Sequence, residues 1–407
     1  MKAAILTIGD ELLSGKTINT NASWISHHVK MFGCEIVRQV TAPDKEKEII
    51  DCISILFTLP IDLVLCTGGL GPTHDDITRN SIFQFFNSKG LFDDEYWKDL
   101  KSRFSSIGYS IPDSNKSQAI VPDNGETFSN PIGSARGFLF NRNKITFMAM
   151  PGVPSEMEAM IKKTVIPWIK KNSKQEIFSI NVRTTGLPES VLYEKIKVED
   201  SYLEFLDLGY YPSLYGVDIR ITGKNITLLE ELKEKIVNIA GKYIYNIGEE
   251  SLEDIVVNKL LENNLCIATA ESCTGGLIGH RITQVPGSSS VYKGGIVAYS
   301  NEAKLSQLNI KRETLDKYGA VSKETASEMA FQVKTIFDSD IGISVTGIAG
   351  PDGGTKDKPV GLVYAGFCNR DGVKTKQFNF YSIRESNKVR TSQGVLNLIM
   401  KNISDNG

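Results

Sequence analysis

The sequence predicts an α/β protein with an N-terminal α/β sandwich, a small α+β middle module and a C-terminal α/β domain. Short apolar runs alternate with segments of helical spacing, and glycine-rich loops follow several of those runs directly. At roughly 150 residues per domain, the 407 residues correspond to two or three domains. We place the domain boundaries at 1–170, 171–250 and 251–407.

Composition excludes several classes of protein. Lys+Arg 46 against Asp+Glu 48 gives a formal net charge of −2, so the basic excess typical of an electrostatic nucleic-acid binder is missing. The hydrophobic content of 41% and the charged content of 23% are those of a globular chain. We therefore expect no nucleic-acid partner.

Cysteine and histidine usage indicates reduced thiols and no zinc site. The six cysteines form no C-x-x-C pair, and the four histidines form no H-x-x-x-H. Asp10 and Glu11 interrupt the first apolar stretch early, and no run approaches the ~18–20 apolar residues of a membrane span. These observations predict a cytoplasmic protein without a membrane partner, in which any metal would bind carboxylates.

The first segment contains three apolar runs that are typical of buried strands, AAILTIG, IDLVLCTGG and KITFMAMPG. Between the first two runs, the sequence NASWISHHVKMFG is typical of a helix that stops at Gly33. Buried strands alternating with helices favour a parallel sheet covered on both faces. Binding sites of such sheets lie at the carboxyl ends of the strands, where the glycine-bearing loops fall.

Those loops predict an N-terminal nucleotide site. TGGLGPTHDD suits a phosphate cradle beside a divalent ion held by carboxylates, while GDELLSG and MPGVPSEM add polar groups at neighbouring strand ends. Helix capping explains each loop separately, and three loops at one sheet edge favour a site. The candidates are Asp10, Ser14, Gly68, Gly69, Gly71, Thr73, Gly152 and Glu156, with Asp75 and Asp76 as metal ligands. Since Asp75 and Asp76 point in different directions on a helix, at most one of them binds the ion directly.

The second segment contains strand-like FSINVRTTG and GVDIRITG and the helical LLEELKEKIVNIAGKY. It carries no group of residues typical of a catalytic site, so we expect a spacer or assembly role.

The third segment predicts a helix at SLEDIVVNKLLENN, a strand at LCIATA, the turn ESCTGG and a helix at LIGHRIT. Strands then follow at GGIVAYS, IGISVTG and LVYAGFC.

Ser272 is the candidate nucleophile, because strand LCIATA delivers it onto a turn in which Gly275 and Gly276 precede a helix. Backbone N–H groups at that helix start could bind an oxyanion. The alternative is that Ser272 or Thr274 only caps the helix. Cys273 is a second candidate nucleophile, against the commoner role of a small buried side chain.

Lys304 is the candidate base for a serine nucleophile. A lysine enclosed by Tyr299 and apolar neighbours would have a lowered pKa, whereas His280 lies one turn into a helix and points away. The alternative is that Lys304 is an ordinary solvated lysine on a helix.

The strand and loop SVTGIAGPDGG could hold a ligand through Thr346, Gly347 and Gly350, or be a flexible turn. A phosphate or carboxylate lies within reach of Arg390 on the last helix.

Together these motifs resemble the CinA family, essentially from end to end. GDELLSG, TGGLGPTHDD and MPGVPSEM resemble its N-terminal domain, which is similar in fold to molybdopterin-binding proteins. AESCTGG, VPGSSSVY, VAYSNEAK, GAVS and VTGIAGPDGG resemble its C-terminal nicotinamide-nucleotide amidohydrolase domain.

The resemblance implies deamidation of nicotinamide mononucleotide to nicotinate mononucleotide and ammonia, without a cofactor. Ser272 would be the nucleophile and Lys304 the base, with Tyr299 and Ser289 supporting the pair and Thr346 and Arg390 holding substrate. It also implies a homodimer and a second activity in the first segment, hydrolysis of ADP-ribose with Mg, Mn or Co. The alternatives are a nucleotide- or pterin-binding module with an inactive C-terminal half, and an ADP-ribose pyrophosphatase with such a half.

Overall fold

The computed structural model describes residues 1–73, 76–173 and 177–403, and the predicted α/β fold class is confirmed. The chain divides into two compact units, residues 1–178 and 179–407. In the described part of the chain, no helix combines the length and the apolar character needed to cross a membrane.

The first unit contains the strands β1 (Lys2–Ile8), β2 (Glu35–Ala42), β3 (Leu63–Thr67), β4 (Gly90–Phe92), β5 (Ile120–Pro122), β6 (Glu126–Phe128), β7 (Gly137–Arg142) and β8 (Ile145–Met150). Its helices are α1 (Asp10–Leu13), α2 (Thr20–Lys30), α3 (Glu46–Leu56), α4 (Thr78–Phe86), α5 (Asp94–Ser106), α6 (Pro154–Met160) and α7 (Ile166–Asn172).

The main sheet of this unit has the order β2-β1-β3-β8-β7-β6, and β2, β1, β3 and β8 run parallel. The prediction of a parallel sheet is therefore wrong at one side, since β7 and β6 are antiparallel to their neighbours. The physical reason is a tight turn. Asn143 and Lys144 both have positive φ angles, 53° and 66°, which suit a two-residue hairpin between β7 and β8.

Both faces of the sheet are buried, as predicted. Along β1, Ala4, Leu6 and Ile8 pack on one side with α3 and α4. Ala3 and Ile5 pack on the other side with α2, α6 and α7. Because alternate residues of a strand point to opposite faces, a continuous apolar run is required to fill both layers. The parallel strands β1, β3 and β8 thus carry the three glycine-bearing loops at one edge.

The second unit contains β9 (Phe178–Thr184), β10 (Leu206–Pro212), β11 (Val217–Gly223), β12 (Ile244–Ile247), β13 (Ile267–Glu271), β14 (Tyr292–Val297), β15 (Ile341–Gly347), β16 (Leu362–Asn369) and β17 (Gly372–Asn379). Its helices are α8 (Glu189–Ile196), α9 (Asp200–Leu203), α10 (Ile226–Ala240), α11 (Leu252–Glu262), α12 (Leu277–Thr283), α13 (Asn301–Leu308), α14 (Arg312–Tyr318), α15 (Lys323–Ile336) and α16 (Arg384–Asn402).

Two sheets build this unit, one of order β10-β11-β9-β12 and one of order β14-β13-β15-β16-β17. In the five-stranded sheet, β14, β13 and β15 are parallel, whereas β16 and β17 are antiparallel. Helices α11, α12 and α16 cover one face, and α13, α14 and α15 cover the other. Tyr245 of β12 belongs to the same buried cluster as residues of α11, α12 and α16. The four-stranded sheet therefore packs against that side of the five-stranded sheet.

Candidate active site

Ser272 lies directly after β13, at the carboxyl edge of the five-stranded sheet. All five residues of β13 are buried, which fixes the strand in the middle of the core. The backbone N–H of Ser272 donates to the carbonyl of Val345 on β15 at 3.0 Å, so the serine remains in register with the neighbouring strand. Its side chain is held at the sheet edge with only 7% of the residue exposed.

Lys304 meets Ser272 from α13, which begins after β14. The Ser300 hydroxyl accepts from Ala303 N at 3.0 Å and caps the helix. Lys304 Nζ donates to Ser272 Oγ at 3.0 Å and to the Ala298 carbonyl at 2.9 Å. Only 2% of Lys304 is exposed. The structure therefore brings together the two side chains that the sequence selected as nucleophile and base.

The electrostatic surroundings favour the neutral amine of Lys304. Burial lowers the pKa of Lys304, and the nearby Cys273 thiol has a smaller, opposite effect. Over residues 1–73, 76–173 and 177–403, no carboxylate forms an ion pair with this ammonium group. Because a buried charge without a counterion is costly, the amine can lose its proton at a lower pH than an exposed lysine does.

Cys273 is a poor alternative nucleophile. Its side chain belongs to the apolar core under the sheet, and the residue is 6% exposed. Burial raises the pKa of the Cys273 thiol to about 12, so the reactive thiolate is disfavoured at neutral pH. The structure thus favours Ser272 on physical grounds that the sequence does not contain.

Glu271 organises the turn after β13, a role that the sequence reasoning missed. Its carboxylate accepts from the Thr274 hydroxyl at 2.6 Å and from the backbone N–H groups of Gly276 at 3.0 Å, Ile278 at 3.1 Å and Gly279 at 2.8 Å. These are orphan donors at the start of α12, so a buried carboxylate takes the place of a conventional N-cap. Neither Ser272 nor Thr274 is the capping residue.

This arrangement corrects the predicted roles of Gly275 and Gly276. Both have positive φ angles, 64° and 93°, which the turn requires. However, Gly275 N–H donates to the Ser272 carbonyl at 3.1 Å, and Gly276 N–H is bound to Glu271. Within the described residues, the N–H group of Thr274 has no hydrogen-bond acceptor, and that of Cys273 interacts only with its own thiol. They replace the two glycines as candidate oxyanion donors.

Arg384 connects two loops at the same sheet edge, and the sequence analysis did not select it. Its guanidinium donates to the Gly350 carbonyl at 2.8 Å and to the phenol oxygen of Tyr299. It also lies close enough to Cys273 to lower the pKa of that thiol, although burial outweighs this effect. Tyr299 is 58% exposed and contacts this guanidinium rather than Lys304. The first turns of α16 thus bring a cation to the Ser272 edge.

Two of the other residues predicted near Ser272, Ser289 and Arg390, lie elsewhere, and two more, Thr346 and Gly347, make structural contacts beside it. Ser289 precedes β14, whereas Ser272 follows the parallel β13, so about five residues of strand, on the order of 17 Å, separate them. Thr346 directly follows Val345, whose carbonyl accepts from Ser272, and the Thr346 hydroxyl donates to the Ala320 carbonyl at 2.7 Å. Arg390 lines a different cavity, described below. A Cβ on Gly347 would lie 2.6 Å from Val363, so this glycine serves strand packing.

The first unit has a cleft at the carboxyl edge of β1, β3 and β8. A cavity of about 110 Å³ is lined in part by the predicted Gly68 and Gly152. Asn21 crosses it, since its Nδ2 donates to the Gly152 carbonyl at 2.8 Å. The buried Oδ1 of Asn21 has no partner among the described residues. Asn21 and Thr67, which also lines the cleft, were missed because isolated polar residues carry no motif.

Several predicted N-terminal residues instead stabilise their own loops. Ser14 Oγ donates to the Glu11 carbonyl at 3.2 Å. Glu156 accepts from Asn130 Nδ2 at 2.6 Å, which links α6 to a neighbouring loop. A Cβ on Gly69 would lie 2.1 Å from the Thr78 hydroxyl, so this glycine permits a close approach to α4. None of these contacts is a helix N-cap, because α1, α4 and α6 begin without a side-chain cap, so the capping alternative is wrong for these three loops.

The predicted divalent-metal site has the expected donor type. The Asp76 carboxylate accepts from Thr73 through one oxygen, Oδ2, at 2.7 Å from the backbone N–H and 2.5 Å from the hydroxyl. Its Oδ1 accepts no hydrogen bond from the described residues and is the kind of oxygen that hard cations bind. Gly71 permits the close approach of Asp76. Asp10 lies beside Asp44, with Asp10 N–H donating to that carboxylate at 2.9 Å.

The second predicted metal ligand, Asp75, lies outside the described residues. Among the residues that are described, no three His, Cys, Asp or Glu side chains form a cluster that could hold a metal. A divalent cation here stays a prediction: of the two predicted ligands only Asp76 is described, and its Oδ1 could contribute one oxygen.

The fold and this site define a class: a two-unit α/β protein with a buried serine–lysine pair at a sheet edge in its second unit. Residues 249–403 match the family described as CinA C-terminal domain, and residues 4–171 match the family described as probable molybdopterin binding domain. A competence-damage inducible protein of Clostridium novyi is 40% identical over 394 residues, covering 95% of this chain and 94% of that one.

A second relative with the same name, from Clostridium botulinum (strain Loch Maree / Type A3), is 39% identical over 409 residues, covering 99% of this chain and 100% of its own. A solved structure of a competence/damage inducible protein from Agrobacterium tumefaciens is 35% identical and covers 38% of this chain and 98% of its own, with a TM-score of 0.37. The chain belongs to the CinA family of competence-damage inducible proteins.

Proposed function

We propose that the second unit hydrolyses a carboxamide and releases ammonia, with nicotinamide mononucleotide as the substrate. The observation that carries this proposal is the 3.0 Å contact between Lys304 Nζ and Ser272 Oγ inside a buried site. A lysine whose pKa is lowered by burial is the activating partner that a serine nucleophile needs. Resemblance to the amidohydrolase domain of the family supplies the substrate.

The reaction follows from the positions of these groups. Neutral Lys304 accepts the hydroxyl proton of Ser272 while Oγ attacks the carboxamide carbon. The resulting oxyanion accepts hydrogen bonds from the backbone N–H groups of Cys273 and Thr274, which donate to no other residue in the described part of the chain. Lys304 then donates its proton to the leaving nitrogen, which departs as ammonia. Water, activated by the same amine, adds to the acyl-enzyme and releases the carboxylate product.

Cations at the same edge support a phosphorylated substrate. Arg384 bridges Tyr299 and Gly350 beside the Ser272 turn. Lys388 lies one turn further along α16, and its Nζ would be 3.7 Å from a Cβ on Gly275. A guanidinium and an ammonium group on one helix face can bind the phosphate of a mononucleotide.

The test is ammonia release from nicotinamide mononucleotide by purified Ser272→Ala and by Cys273→Ala. We expect Ser272→Ala to lose at least about 10³-fold in kcat, since the nucleophile is removed. Cys273→Ala should stay within about threefold of the wild-type kcat and lose only about 1–2 kcal/mol of stability, as for a small core truncation. Full turnover by Ser272→Ala would overturn the proposal.

For the first unit we propose hydrolysis of ADP-ribose to AMP and ribose 5-phosphate. The cleft lined by Gly68 and Gly152, with its unpartnered Asn21 Oδ1, supports a ligand site at this edge. Asp76 would help hold a divalent cation, which would offset the negative charge of the pyrophosphate. The competing proposal is a nucleotide- or pterin-binding module, which predicts binding without formation of AMP.

A further inference from the structure

A second cavity lies inside the second unit, between the strand ends of the four-stranded sheet and the β17–α16 side of the five-stranded sheet. Its volume is about 490 Å³, within the roughly 300–1,000 Å³ of small-molecule sites. Tyr215, Phe378 and Phe380 line it, and the two phenylalanine rings stack with centroids 5.7 Å apart at 11°. One wall is therefore flat and aromatic.

Two buried amides line the same cavity with unused polar atoms. Gln393 and Asn397 are 3% and 7% exposed. Gln393 Oε1 accepts from Arg281 at 2.8 Å, which leaves the amide Nε2 as a donor without a partner in the described part of the chain. Asn397 Oδ1 has no partner there either. The residues are one helical turn apart, so an unused donor lies beside an unused acceptor.

Arg281 makes this wall rigid. Its guanidinium pairs with Glu253 at 2.6 Å and donates to Ser392 at 2.8 Å, in addition to its contact with Gln393. The same guanidinium lies 4.9 Å from the centroid of the Tyr215 ring. The aromatic and the amide side of the cavity are thus tied to one buried cation, which limits rearrangement when a ligand enters.

The charge at the cavity favours an anion. Lys376 and Arg390 line it, against the single acid Glu189 among the lining residues. Lys376 Nζ lies 5.1 Å from the centroid of the Phe378 ring, which places the ammonium beside the aromatic wall. Burial and the nearby Lys401 both lower the pKa of Lys376, so a bound anion would restore the charged form of this side chain. A cationic rim next to an aromatic wall suits a phosphate joined to a planar ring.

We propose that this cavity is a second nucleotide site, which binds a nucleoside monophosphate whose base carries a hydrogen-bond donor beside an acceptor. The base would stack on the aromatic wall and pair with Gln393 and Asn397, while the phosphate binds Lys376 and Arg390. Adenine and nicotinamide nucleotides share this chemistry. The site goes beyond the proposed hydrolysis, because its residues are not those that contact Ser272 or Lys304.

The test uses hydrogen exchange on the full chain carrying Ser272→Ala, so that nicotinamide mononucleotide is not consumed. AMP and nicotinamide mononucleotide are added separately, up to about 1 mM. We expect one of them to slow exchange in peptides that cover 212–217 and 372–380, and the effective ligand distinguishes the two sources. Slowed exchange confined to other segments, or none with either nucleotide, would overturn the proposal.

Two variants and a control locate the site. Asn397→Leu removes the acceptor and Lys376→Met removes a charge. Each should weaken the nucleotide affinity, measured by titrating the slowed exchange of these peptides, about tenfold or more. Lys374→Met alters the same strand at a lysine that instead binds Asn402, and it should leave the affinity unchanged. Circular dichroism checks that each variant folds. Unchanged affinity in both Asn397→Leu and Lys376→Met would contradict the site.

Discussion

At the scale of single residues, the protonation of Lys304 should set the pH dependence of ammonia release. Only the neutral amine can take the Ser272 proton, so kcat/KM should rise with pH through the pKa of Lys304. Because burial lowers this pKa, the midpoint should lie below the 10.5 of an ordinary lysine. The measurement is a pH–rate profile for the wild-type chain over neutral and alkaline pH.

Lys304→Arg is the matched control for this profile. A guanidinium stays protonated throughout the range, so the variant should release ammonia at least about 10³-fold more slowly at every pH. A rate that does not change with pH, or substantial turnover by Lys304→Arg, would show that another group is the base.

At the scale of secondary-structure elements, the start of α12 depends on one carboxylate. Glu271→Gln replaces an acceptor oxygen with a donor amide that faces other donors, namely the Thr274 hydroxyl and the N–H groups of Gly276, Ile278 and Gly279. The unsatisfied groups should cost about 1–3 kcal/mol. Because Ser272 is the next residue, kcat should fall more than KM rises.

Hydrogen exchange of peptides covering 272–283, together with kcat and KM, tests this prediction. Glu313→Gln is the control, since this residue is exposed in the first turn of α14 and should be neutral in both measurements. If Glu271→Gln kept wild-type exchange and turnover, the carboxylate would not be what holds the turn.

The elements also show what the sequence could predict. Helix α12 and strand β15 occupy the predicted LIGHRIT and IGISVTG segments, since glycines and polar residues bound short apolar runs. Strand β17 was not predicted because nearly all of its residues are exposed and its pattern is polar. It exists because β16 offers a free edge that it can pair with. The capping role of Glu271 depends on the tertiary turn and leaves no spacing signal.

On the last helix, α16, the sequence selected Arg390 as the substrate-binding arginine, whereas Arg384 is the one that lies near Ser272. Arg384 and Arg390 are six residues apart, which on an α-helix is about 600°, so they face directions about 120° apart. Helical geometry therefore places the two arginines on different faces of α16. The sequence could not show which of them faces Ser272, because that depends on how α16 packs against β16 and α12.

At the scale of the whole molecule, the two proposed activities should respond oppositely to metal removal and to mutation of the serine. Ser272 and Lys304 supply nucleophile and base from the chain itself, so EDTA should leave ammonia release within about twofold of the untreated rate. AMP formation from ADP-ribose should fall at least about tenfold with EDTA and return with Mn²⁺, because the pyrophosphate needs a cation to offset its charge.

The Ser272→Ala variant separates the two activities in the same molecule, since it should abolish ammonia release and spare AMP formation. Loss of ammonia release on EDTA treatment would argue against a serine–lysine mechanism, and AMP formation that persists in EDTA would remove the metal role proposed for Asp76.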